Sequence, residues 1–369
     1  MSSPLRALLK FQESGLLLVI LALGLLLTVF SGTVRTPQFE RTADGGRQRV
    51  FTVNAEGERV PAFVEKNKFF NAQNLAQLAK DTSFTAIMAV GMAVVIIAGG
   101  IDLSVGSIYA LASVLGAMVL RHYGPEGLNS PVLGIVLGVG TCLGTSLLCG
   151  LFNGGLIVAL RVHPFIITLG AMAILRGIAF VVTKGQSVGG FPAGLRDFVR
   201  LEIGDGLSFV PLAAMVLVTV AGWIFLSRLA AGRRVYAIGG NELAARFSGI
   251  RVERVKLGLY LLSGLTAGIA ALLSLGYYGA ATSGDGQGYE LNVIAAAVVG
   301  GASLSGGRGS ALGVVLGALI IQMISSGIVI LGIDQNYSQI IIGTVVIAAV
   351  VLDNFNTWLA KRRLTAKAG

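Results

Sequence analysis

Long apolar runs, broken by short polar or glycine-rich joints, dominate the chain. A helix needs about 20 apolar residues to cross the hydrocarbon core of a bilayer. Runs near that length fall at about residues 15–31, 83–98, 103–120, 131–151 and 164–183. A second set lies at about 210–226, 257–275, 291–302, 310–331 and 338–352. The pattern predicts an all-α polytopic membrane protein with about ten transmembrane helices.

Composition agrees. Of 369 residues, 54% are apolar and 12% are charged, against roughly 25% charged in an average soluble domain. A disordered chain needs low hydrophobicity, which this one lacks. The net charge of +10 suggests nucleic acid at first sight. The basic residues sit in loops between apolar runs, however, where they report orientation in the membrane. Seven of them fall between Arg228 and Lys256, against Glu242 and Glu253, and Lys361, Arg362, Arg363 and Lys367 follow the last run. Both regions are therefore expected in the cytoplasm, with Arg6 and Lys10. The segment 32–82 should then be external, although it carries eight basic and six acidic residues. Cys142 and Cys149 share one apolar run and read as packed thiols. The first apolar run lacks a small-residue cleavage site and reads as a retained span.

The expected organisation is an N-terminus and first span (1–31), a polar external insert (32–71), one half of a membrane core (72–227), a cytoplasmic loop (228–256), the other half (257–352) and a basic tail (353–369). Shifting the chain by 201 residues aligns 99–120 with 300–321 at 11 of 22 positions, including Gly99-Gly100 with Gly300-Gly301, Ser104 with Ser305 and Gly106 with Gly307. Paired glycine-broken segments in two halves point to a transport pathway.

Three features carry candidate chemistry. Asp102 lies between apolar runs, where a carboxylate is costly unless paired or wet. With Ser104 it either caps the helix running to Leu120, or it lines a path or gate with Gly106. Arg176 is about 18 Å into its run at 1.5 Å per residue. It acts as a clamp, or it pairs with Asp102 if the glycine motif dips to mid-depth. Between Arg233 and Arg254, Asn241 can cap a short helix with Ala244 and Ala245 on it and Gly249 at its end, which suits either a partner's groove or the lipid surface. Gly284-Asp-Gly-Gln-Gly288 reads as an external loop. Small-residue pairs at 134/138, 140/144, 264/268 and 313/317 suit close helix packing. His122 and His163 lie in different loops, so no metal site, nucleophilic site or cofactor is expected. No phosphate loop is present, so ATP would have to be hydrolysed by another chain.

At these residues the chain resembles the permease subunits of bacterial ATP-binding-cassette importers of the ribose and xylose type. The likeness runs from about Phe70 to Asp353 and rests on four blocks: Gly99 to Ser107, Pro164 to Gly170 with Arg176-Gly177, Gly239 to Val252, and Tyr289 to Gly307. It implies a homodimer or heterodimer of permeases in the bacterial inner membrane, a cytoplasmic ATP-binding subunit and a periplasmic sugar-binding protein. Gly240, Asn241, Glu242, Ala244, Ala245, Ser248 and Gly249 then form a coupling helix that enters the ATPase. Asp102, Ser104, Gly106, Arg176, Ser305 and Gly307 line or gate the path of a monosaccharide. The insert 32–71 is longer than the family's usual link. An ion-coupled secondary transporter using Asp102 is the alternative; it shares the spans and the repeat but leaves the capped basic loop unexplained.

Overall fold

The computed structural model describes residues 13–41, 47–53, 57–204 and 206–351. Arg6, Lys10 and the basic tail after Asp353 lie outside the described residues. Each apolar run read from the sequence carries a helix. Among the described residues seven helices are long and apolar enough to cross a membrane: α2 (Ala72–Ile97), α3 (Val105–His122), α4 (Pro131–Leu160), α5 (Pro164–Thr183), α7 (Phe209–Ser227), α10 (Val252–Tyr278) and α12 (Ala311–Ile330). Shorter apolar helices occupy the remaining runs: α1 (Ser14–Phe30), α11 (Tyr289–Val299) and α13 (Tyr337–Val351). Between them lie the short helices α6 (Ala193–Val199), α8 (Ala230–Gly240) and α9 (Glu242–Phe247). The chain is all-α in its membrane core, as its periodicity requires.

Helix α2 is the axis of the bundle, packed against α7, α10, α11 and α12, and 94% of its apolar window is buried. By contrast, 22% is buried in α5 and α7, whose leucines and valines face outward as lipid-facing helices must. Helix α2 also begins eleven residues before its apolar run, because the Asn71 side chain accepts the Asn74 N–H as an N-cap. The added turns carry Lys80, buried, with its ammonium 3.1 Å from Asp81 and over the Tyr277 ring at 4.1 Å. Three of the four small-residue pairs are used: Cβ atoms on Gly138, Gly268 and Gly317 would strike Leu120, Ser146 and Ala296. Gly140 and Gly144 have open space around them. Cys142 and Cys149 are free and buried.

The insert 32–71 holds structure that no hydrophobic run announces. Among its described residues six strands, β1 (Thr33–Pro37), β2 (Phe39–Arg41), β3 (Arg47–Arg49), β4 (Phe51–Val53), β5 (Arg59–Pro61) and β6 (Phe63–Asn67), pair as β1–β6, β2–β3 and β4–β5. Where each strand changes partner, the backbone closes a triangle: Gln38 N–H to Ala62 O, Val50 N–H to Gln38 O, and Ala62 N–H to Val50 O, all at 2.8–2.9 Å. These junction residues are twelve apart, and the chain repeats with that period. Phe39, Phe51 and Phe63 each follow a junction, and Ala43-Asp44-Gly45 matches Ala55-Glu56-Gly57, with Arg47 and Arg59 two residues on. The module is tied to α1 and to the turn that leads into α2 through Asn67, which donates to Thr28 O at 2.7 Å and accepts from Phe70 N–H at 2.7 Å.

The two copies of the internal repeat both follow a helix that ends in the same way. Gly99 at φ +81° and Gly301 at φ +94° are the left-handed residues. Gly100 N–H reaches Val95 O and Ala302 N–H reaches Ala297 O, giving a Schellman motif in each copy. The next helix starts at Val105 in the first copy but only at Ala311 in the second. Gly306 and Gly309, both at positive φ, stand in the second copy where helical Val105 and Ile108 stand in the first.

Candidate functional site

Asp102 is fully buried at the joint between α2 and α3. One carboxylate oxygen accepts the Ser104 N–H at 3.0 Å and the Ser104 hydroxyl at 2.6 Å; the other accepts the Ser263 hydroxyl of α10 at 2.8 Å. Asn153 of α4 donates to the Ser104 hydroxyl at 2.7 Å. Thr168 of α5 and Tyr260 of α10 both donate to the carbonyl of Ile101, at 3.3 and 3.4 Å. Three helices, α4, α5 and α10, therefore converge on one seven-residue joint between two others, and hydroxyl and backbone N–H donors hold the carboxylate. No cation lies within ion-pair distance of it among the described residues. Neither Asp102 nor Ser104 is an ordinary N-cap for α3: Ser104 makes no side-chain cap bond, and Asp102 grips the residue before the helix instead.

Gly106 has a different neighbour. A Cβ there would strike Gly286 O and lie 2.6 Å from the Glu290 carboxylate. The segment 282–288 therefore packs into the first turns of α3. Gly284–Gly288 is thus a loop inserted against α3: Gly286 is buried, and backbone contact with Gly106 is what its glycines permit. Arg176 holds the same segment, donating to Ser283 O at 2.7 Å and Asp285 O at 2.5 Å. Asp285 in turn accepts from the Thr282 N–H and hydroxyl, which closes the turn. Arg176 is thus a clamp on carbonyls, and its partner is not Asp102.

Ser305 and Gly307 do not join the Asp102 cluster. Ser305 is exposed, whereas Gly307 donates its N–H to Ile97 O at 2.8 Å. The end of α8 meets them there, with Gly239 against both Ile97 O and the Gly307 backbone and with Tyr236 donating to Gly309 O at 2.7 Å. Burial pushes the Tyr236 hydroxyl above its usual range. The two repeat joints and the end of α8 are therefore in backbone contact.

Helix α9 follows directly. Asn241 accepts the Ala244 N–H at 3.0 Å, as the residue pattern predicts, and Gly249 at φ +80° ends the turn. Leu243 and Phe247 are 67% and 89% exposed, while Ala245 is 4% exposed and faces its own chain beside Val252 and Ile157. Ala244 faces outward, but Ala245 is part of the internal packing. Glu242 is engaged by Lys256 at 2.8 Å, and Ser248 donates to Ala244 O at 2.9 Å. Asn153, Thr168, Tyr260, Ser263 and Glu290 were missed by sequence reasoning. A polar side chain within an apolar run was the available signal, most visibly Asn153.

A family model described as branched-chain amino acid transport system / permease component matches residues 74–350. The chain belongs to this permease family. Among curated relatives, the ribose import permease protein RbsC of Escherichia coli K12 is 38% identical over 288 residues, covering 78% of this chain and 87% of the relative. The protein of the same name from Bacillus subtilis 168 is 41% identical over 288 residues, covering 77% and 86%. The fructose import permease protein FrcC of Rhizobium meliloti is 34% identical over 300 residues, covering 80% of each. In this permease the matched region starts after the β-module, so the Asp102 joint, the Arg176 clamp and α9 all lie inside it.

Proposed function

We propose that this permease carries a monosaccharide inward across the bacterial inner membrane, as the transmembrane subunit of an ATP-binding-cassette importer. A second permease copy completes the path, a periplasmic binding protein delivers the sugar and a separate cytoplasmic subunit hydrolyses ATP. Helix α9 carries the reading. Six residues long, capped, ended by glycine, it presents Leu243, Ala244 and Phe247 outside any apolar run. An aromatic exposed at 89% beside fixed polar caps is the anchor of a protein contact. The sugar class rests on the relatives' import of ribose and fructose, and the joints at Asp102 and Gly307 are assigned to the path or its gate. Arg228 to Lys256 and both termini are placed in the cytoplasm by their lysines and arginines, and the β-module outside. The test is purification of the tagged chain from native membranes in mild detergent. Recovery of a stoichiometric subunit with a phosphate loop is the expected result; repeated recovery of the chain alone overturns the reading.

A further inference from the structure

Behind α9, between α8 and the first turn of α10, lies a cleft of about 480 Å³ lined by Arg234, Arg251 and Arg254, with Ser248 and Gly249. Among the described residues no carboxylate lies within ion-pair distance of any of these three arginines. The neighbouring cavity of about 230 Å³ is built differently: Arg161, Arg246 and Lys256 line it together with Glu242 and Glu253. Two of its three cations are paired there, with Arg246 2.6 Å from Glu253 and Lys256 2.8 Å from Glu242. The same loop thus balances one group of cations and leaves the other group facing a shared, polar space.

Three like charges around one cleft repel each other, and an anion offsets that cost. Guanidinium groups match phosphate geometry through paired N–H donors, so a phosphate ester is the fitting class. Depth identifies its source. The apolar run of α10 starts at Leu257, which puts Arg254 about 4.5 Å and Arg251 about 9 Å outside it at 1.5 Å per residue. The headgroup layer on each side of the hydrocarbon is roughly 5–8 Å thick. Arg254 therefore starts at the level of lipid phosphates and Arg251 just beyond it, a gap of about 1–4 Å that its long side chain spans, and Arg234 lines the same cleft.

We propose that Arg234, Arg251 and Arg254 form a binding site for the phosphate of an anionic phospholipid on the α8–α10 side of the permease. The proposal rests on α10 spanning the membrane and is independent of the sugar carried. Ser248 and Gly249 form the turn that ends α9 and also line the cleft, so a bound headgroup braces the α9–α10 turn from behind.

The experiment is native mass spectrometry of the full-length chain in mild detergent, titrated with phosphatidylglycerol or with phosphatidylcholine. One phosphatidylglycerol is expected to be retained in strong preference to phosphatidylcholine, with an affinity that falls steeply as salt rises. The triple variant R234Q/R251Q/R254Q should lose that lipid by a factor on the order of 100. Arg233→Gln, which removes a charge from the same loop outside the cleft, should keep it. If the triple variant does not fold, the triple Arg→Lys variant and the salt dependence of the unaltered protein carry the test: weaker but persistent selective binding supports the site. Equal retention of both lipids, retention by a folded triple Gln variant, or binding insensitive to salt overturns it. Displacement of phosphatidylglycerol by excess inorganic phosphate shows a site for free phosphate and overturns the lipid assignment.

Discussion

Gly239 and Gly240 are neighbours at the end of α8, and the structure assigns them opposite tolerances. A Cβ on Gly239 would collide with the carbonyl oxygen of Ile97 and lie 2.5 Å from the amide nitrogen of Gly307. Those two backbone groups form the 2.8 Å hydrogen bond that joins the repeat copies. Backbone cannot rotate away as a side chain can, so Gly239→Ala must lengthen or break that bond and push α8 from α2. Losing the bond costs about 0.5–1.5 kcal/mol net. Forcing a methyl group into a filled space adds about 1–3 kcal/mol. The sum, about 1.5–4.5 kcal/mol, corresponds to a fall in melting temperature of roughly 3–18 °C at about 2–4 °C per kcal/mol. Gly240 has nothing within 4 Å of its would-be Cβ, and its φ is not left-handed. Gly240→Ala should therefore stay within about 0.5 kcal/mol of the parent, as surface substitutions do. The assay is thermal unfolding of each detergent-purified variant, read by loss of the size-exclusion peak. Equal shifts for the two variants, or an unchanged melting temperature for Gly239→Ala, would refute the contact between the joints.

Further outcomes follow from the other contacts. Phe247→Ala and Leu243→Ala should reduce recovery of the ATP-binding subunit while leaving the melting temperature of the permease alone unchanged, which pull-down and unfolding measured together will check. Asn241→Ala should destabilise α9 by about 1 kcal/mol through loss of its cap, visible as faster amide exchange confined to that turn. Arg176→Gln loses two charge-assisted bonds to Ser283 and Asp285 carbonyls, worth about 1.5–3 kcal/mol each, and proteolysis should then cleave within 282–288 where the parent resists. In proteoliposomes Asp102→Asn should retain ATP-driven uptake, since three donors and no cation surround the carboxylate; uptake driven by an ion gradient and lost in that variant would reinstate the ion-coupled carrier.

Hydropathy was enough to place the membrane helices because lipid leaves a spanning segment no other way to satisfy its backbone. The cap at Asn241 and the glycine stop at Gly249 were legible for a similar reason: both are local chemistry. What failed to show was whatever depends on a distant partner. Gly284–Gly288 has the composition of an exposed turn, and only its contact with Gly106 reveals it as an inserted one. The β-module has no apolar run long enough to draw notice, yet its period of twelve residues, with Phe39, Phe51 and Phe63 in register, was there to be found by comparing the insert with itself. Ala244 and Ala245 looked equivalent as small residues; the 100° step between successive helix positions puts one outside and the other in the core.

The contacts also limit how a push on α9 can travel. Ala245 and Val252 belong to one buried cluster with Ile97, Ile238 and Tyr260, so a subunit seated on Leu243 and Phe247 bears on that cluster through α9 itself. From there two short routes lead inward. One runs up α10 from Tyr260, which holds Ile101 O, to Ser263, which holds Asp102. The other runs through the end of α8, where Gly239 touches Ile97 and Gly307. Both end on the repeat joints and each bears on a backbone group there, Ile101 O in the first and Ile97 O with the Gly307 amide in the second, which shift as units where a side chain would absorb the strain by changing rotamer. A displacement of α9 therefore has to move the Asp102 joint and the Gly307 joint together. Separate movement of the two would require breaking the Gly307–Ile97 bond, and spin labels on Ser305 and on exposed Gly240 should report one shared transition on ATP binding to the assembled transporter rather than two.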